Sequence, residues 1–164
     1  MNQAWIGVLG TLLGVSIGGL VTYLVNYAQF KRDKKLEEQK MIQQKLEEIC
    51  KTAEEIYTFN RHLTAECYGY MSLGEQINLD TIKEMRFSHL TMLINFYAPS
   101  LKELSNLLRE TVQLHGTAIT EMVGNEDPKD KLNAFQYVLK AMELIDKLCI
   151  AIIHGSANII RDHF

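Results

Sequence analysis

Between Leu20 and Tyr68 the sequence contains neither glycine nor proline. No residue in that stretch is forced out of helical geometry, so one long helix is the economical reading. Its apolar positions are Ile42, Leu46, Ile49, Ala53, Ile56 and Leu63, with Asn60 in one slot. The gaps alternate four and three, which is a heptad seam and implies burial along one face.

Upstream of the seam the first thirty residues carry no Asp, Glu, Lys or Arg. Ala4 to Val25 forms an apolar run that as a helix covers about 33 Å, against roughly 30 Å for a bilayer core. Trp5 lies at one end of it, Tyr23 and Tyr27 lie at the other, and Lys31, Arg32, Lys34 and Lys35 follow. The pattern predicts an uncleaved single-pass anchor over residues 1–30, with the N-terminus outside and residues 31–164 in the cytoplasm. The lipid bilayer is then a partner and the inner membrane the location. Gly10, Gly14 and Gly18 recur every four residues, with Thr22 one step further, so their face predicts close helix contact between copies.

After Tyr68 the segment YGYMSLGEQINLD interrupts the pattern with two glycines, and Thr81 to Glu84 (TIKE) has the form of a capping box. The expected second helix runs from there to about Tyr97, its inward stripe Ile82, Met85, His89, Met92, Leu93 and Phe96. Ala98-Pro99 enforces a turn or kink. A third helix carries Leu101, Leu104, Leu108, Val112, His115, Ile119 and Met122 on one side and closes at Gly124. Asp127-Pro128 starts a fourth, with Leu132, Phe135, Leu139, Met142, Ile145, Cys149, Ile152 and Ile159. The expected fold class is all-α: a transmembrane helix continuing into a cytosolic antiparallel four-helix bundle.

Composition narrows the function. A net charge of −3 disfavours general nucleic-acid binding. Cys50, Cys67 and Cys149 form no CxxC pair and read as free thiols. None of the five histidines has Glu three residues before it, so the carboxylate-bridged metal pattern of bundles is missing and no metal or cofactor is expected. Neither GxSxG, a P-loop nor HExxH occurs, and a non-enzymatic role follows.

Polar residues interrupt the apolar stripes at Asn60, His89 and His115, with Arg61, Arg86 and Arg109 on the same helices. One reading makes them buried groups that fix register. The sharper reading gathers them into a pocket for an anionic ligand such as a nucleotide, where guanidinium forks grip phosphate and Tyr68 or Tyr70 stacks on a base.

In plan, the glycine-bearing span, the basic run KRDKK and the helical remainder resemble small membrane-anchored effectors of prokaryotic phage defence. The likeness is greatest to the CRISPR-associated membrane proteins that sense cyclic oligoadenylate. That resemblance implies an oligomeric sensor-effector that binds an anionic nucleotide signal and acts at the membrane. The competing expectation is an anchored scaffold or partner-binding module with no small-molecule ligand.

Overall fold

A computed structural model describes the backbone of residues 2–74, 77 and 87–163, and the side chains of residues 14–74, 77 and 87–162. The described residues form four helices: α1 (Asn2–Leu73), α2 (Phe87–Tyr97), α3 (Lys102–Gly124) and α4 (Pro128–His163), with a 3-10 turn at Pro99–Leu101. No strand occurs among them. Contacts divide the chain into two compact units, Met1–Met41 and Ile42–Phe164. The boundary falls inside α1.

In the first unit, helix α1 carries exposed Val15, Ile17, Leu20, Val21, Leu24 and Val25. The expected membrane anchor is corrected here. Among the described residues no helix is long and apolar enough to cross a membrane. Over residues 14–25, where the side chains are described, the apolar residues are interspersed with Gly14, Ser16, Gly18, Gly19 and Thr22. Five residues separate Val25 from the charged KRDKK run that begins at Lys31. The single-pass inner-membrane placement, and the bilayer as a partner, are withdrawn with the span.

The second unit is a helical bundle built on two apolar clusters. In one, Leu46, Ile49, Ala53 and Ile56 of α1 meet Leu90, Leu93 and Ile94 of α2, Leu108 of α3, and Ile145, Leu148, Cys149 and Ile152 of α4. In the other, Leu63 and Cys67 of α1 meet Ala118, Ile119 and Met122 of α3 and Ala134, Phe135 and Val138 of α4. Residue numbers rise along α1 while they fall along α4 between the clusters, so those two helices run in opposite directions. The heptad seam of α1 is the buried face, Asn60 included.

Helix boundaries follow local chemistry. Helix α1 continues through Gly69 to Leu73 and stops where Gly74 takes φ +69°, its N–H donating to Tyr70 O at 3.2 Å. Such a left-handed C′ position suits glycine. The expected break at Tyr68 is thereby moved, and Tyr68 and Tyr70 lie on a helix rather than in a loop. Pro99 opens the 3-10 turn after Ala98 leaves helical geometry at φ −141°. Asp127 Oδ1 accepts from Lys129 N at 2.7 Å, capping α4 ahead of Pro128. The capping box at Thr81 to Glu84 lies outside the described residues.

Two inward stripes differ from expectation. On α2 the buried residues are Leu90, Leu93 and Ile94, while Met92 and Phe96 are exposed. The segment offers two apolar faces, and the packed one is the run without Met92 and Phe96. On α4 Leu132 and Leu139 are exposed, and Ala134, Val138 and Leu148 take the buried positions.

Candidate functional site

Asn60, Thr64, Thr111 and His115 are buried, and they occupy the level between the two apolar clusters. Asn60 Nδ2 donates to Ile56 O at 2.8 Å, and Thr64 Oγ1 donates to Asn60 O at 2.9 Å. The Thr64 hydroxyl has spent its single proton there. At 3.3 Å from His115 Nε2 it therefore accepts, which fixes His115 as the Nε2–H tautomer. Burial pulls the imidazole down to about 4, so it is neutral near pH 7. This layer brings Asn60 and His115 together and joins α1 to α3.

The other residues expected at one pocket stand apart. His89 Nε2 lies 2.8 Å from Glu48 Oε1, and Glu48 Oε2 takes Lys45 Nζ at 2.7 Å. Lys45 and then His89 hold the Glu48 carboxyl below its ordinary value. Glu48 precedes Asn60 by twelve residues of helix, about 18 Å, so His89 sits at another level of the bundle. Arg61 is exposed, donates to Tyr57 Oη at 2.8 Å, lies over that ring, and approaches Asp146 Oδ2 at 3.7 Å. Arg86 and Gly10 lie outside the described side chains. Tyr68 packs at 5.9 Å against the Phe135 ring, and Tyr70 receives Lys131 Nζ at 3.3 Å.

Arg109 is the guanidinium with an open setting. It lines a cleft of about 560 Å³ between α2 and α3 with Ser88, Thr91, Met92, Asn95 and Phe96. None of these lining residues is acidic, and Arg109 makes no ion pair among the described residues. Phe96 is 76% exposed beside it. The cleft combines a cation, hydroxyl and amide donors and an aromatic face. Ser88, Thr91, Asn95 and the exposure of Phe96 were not legible from sequence, because the expected α2 stripe turned Phe96 inward.

Gly14 and Gly18 lie on exposed helix, and a Cβ at either would meet nothing within 4 Å in the same chain. Thr22 Oγ1 donates to Gly18 O at 2.8 Å. This chain's own packing does not require those glycines. Among the described residues no three His, Cys, Asp or Glu come together as a metal-binding group.

No family model matches the sequence, and no curated protein or solved structure matches it either. The resemblance to anchored phage-defence effectors drew on the span, which has been withdrawn, and it does not bear on the cleft.

Proposed function

We propose that the chain is a non-enzymatic helical sensor module that binds an anionic ligand of the nucleotide class in the α2–α3 cleft. The observation that carries this is Arg109, exposed and without an acidic neighbour among the residues lining a cleft with Ser88, Thr91, Asn95 and the bared Phe96 ring. A guanidinium offers a planar fork of donors to phosphate oxygens. The Phe96 ring, lining the same cleft, offers a base its face. The module works as an assembly of copies, which would cover the apolar residues Val15, Ile17, Leu20, Val21, Leu24 and Val25 left exposed around Gly14 and Gly18 on α1.

Titration calorimetry of the full chain against mono-, di- and cyclic nucleotides tests it. Binding is expected with at least one of them and is expected to weaken as salt rises. Arg109→Ala should weaken it at least about tenfold with helical content unchanged, since a hydrogen bond to a charged group contributes about 1.5–3 kcal/mol. Binding that survives Arg109→Ala at parental affinity refutes the cleft. If none of the nucleotides binds, the chain is a scaffold with no small-molecule ligand.

A further inference from the structure

The α2–α3 cleft has two unlike ends, and one contact sets their order. Thr91 Oγ1 lies 3.3 Å from Ser105 Oγ. Ala98, where helical geometry stops before Pro99, is midway between those two residues, so α2 and α3 pair as an antiparallel hairpin. Arg109, four residues past Ser105, therefore springs from the level of Ser88, three residues before Thr91. Asn95 and Phe96 stand about one turn beyond Thr91 on the other side, toward Pro99. Ser88, Thr91, Met92, Asn95 and Phe96 recur at helical spacing, so one face of α2 carries them all.

The two ends differ in chemistry. At the first, the Arg109 guanidinium and the hydroxyls of Ser88 and Thr91 are donors suited to anionic oxygens. At the second, Phe96 bares a ring face and the exposed Asn95 amide offers both a donor and an acceptor. Met92, apolar and exposed, lies between them. Arg109 is the one cation among the residues lining the cleft, so the cleft neutralises one phosphate group. From Ser88 to Phe96 is eight residues, about 12 Å of helix, which is the reach of one phosphate, one sugar and one base.

We infer that the ligand is a mononucleotide with a single phosphate, bound lengthwise along α2. Its phosphate lies at Ser88, Thr91 and Arg109, its sugar crosses Met92, and its base stacks on Phe96 with one edge toward Asn95. This rests on the reading of the cleft as a nucleotide site and adds the ligand's size, charge and direction. A triphosphate would carry further negative charge past the guanidinium, where no second cation lines the cleft. A dinucleotide would bring a second base, and Phe96 is the one aromatic ring among the lining residues. The reversed pose would set the phosphate against an apolar ring and leave its charge without a partner.

Inorganic phosphate, adenosine, AMP, ATP and a cyclic dinucleotide are titrated into the full chain, with calorimetry for affinity and amide chemical shifts for position. Phosphate alone should move the signals of Ser88 and Arg109, adenosine alone those of Asn95 and Phe96, and AMP both sets. Arg109→Ala should weaken AMP at least about tenfold while leaving adenosine within about twofold. Phe96→Ala should weaken AMP and adenosine alike, by about fivefold or more. Circular dichroism should show parental helicity in both variants, because both side chains are exposed. ATP should bind no more tightly than AMP. AMP binding that needs Arg109 but ignores Phe96→Ala overturns the lengthwise pose and leaves the cleft a phosphate site. ATP or the cyclic dinucleotide binding about tenfold tighter than AMP, still through Arg109, overturns the single-phosphate ligand while the nucleotide reading stands. If none of the nucleotides binds, that reading and this inference fall together.

Discussion

Acid should unfold this protein in a pH window set by one buried imidazole. His115 is 1% exposed between the two apolar clusters, and burial lowers it from 6.5 to about 4. Its folded value lies below its unfolded value, so folding favours the neutral form. The stability this contributes is fully present above pH 6.5 and is lost as pH falls from there toward 4. With those two values the loss between pH 7.5 and pH 5 is RT times the logarithm of about 30, or roughly 2 kcal/mol. A total stability of about 5–15 kcal/mol makes that a visible fraction. Urea unfolding followed by circular dichroism at pH 7.5, 6 and 5 gives the measurement, with His115→Leu as the companion. Leucine leaves the Thr64 hydroxyl bonded to Asn60 O and removes the titrating group. Other titrations, including the Asp146 carboxyl that burial raises, are common to parent and variant and cancel in the difference. The parent should lose roughly 2 kcal/mol more than the variant over this interval. Identical pH slopes in the two proteins would refute the assignment of a neutral, buried His115.

Two further outcomes follow from packing. A Cβ built on Gly155 would stand 2.5 Å from Leu101 Cδ2, so Gly155→Ala must displace a buried leucine and should lower stability by about 1–3 kcal/mol, read as a fall in urea midpoint. Burial pushes the Cys67 and Cys149 thiols up to about 11 and about 12, so neither should react with iodoacetamide at pH 8 in the native protein, as mass spectrometry of labelled peptides would show. Labelling of either at the rate of a small free thiol would contradict the packing of its cluster.

The helices were legible where one physical signal stood alone. The α1 seam from Ile42 to Leu63 alternates four and three, and its whole length is buried or half-buried. Asp127-Pro128 was equally plain, because a side-chain cap and a proline that needs no donor describe a helix start without tertiary help. The stripe of α2 failed for lack of such uniqueness: over eleven residues Met92 and Phe96 compete with Leu90, Leu93 and Ile94, and the choice belongs to the surfaces of α1 and α3. The polar residues show the same limit. Asn60 and His115 interrupt apolar stripes and do meet at one layer, through Thr64, which is unremarkable in sequence. His89 also interrupts a stripe, yet it answers to Glu48, a partner forty-one residues away that no periodicity names. The span was read from hydropathy over residues 4–25, and the described helix does not bear it out.

The layer at Asn60, Thr64, Thr111 and His115 does more than divide two apolar clusters. Hydrophobic burial is what couples distant parts of a domain into a single melting event, and here that continuity is broken by a plane of hydroxyls, an amide and an imidazole. Protonating the imidazole weakens the junction without touching either cluster. The part held by Leu63, Phe135 and Met122 therefore has the makings of an independent foldon, able to fray from its end of the bundle while the part around Leu46, Leu93 and Ile152 stays shut. Amide exchange would then fall into two classes divided at Asn60 and His115, and mild acid would widen the gap between them.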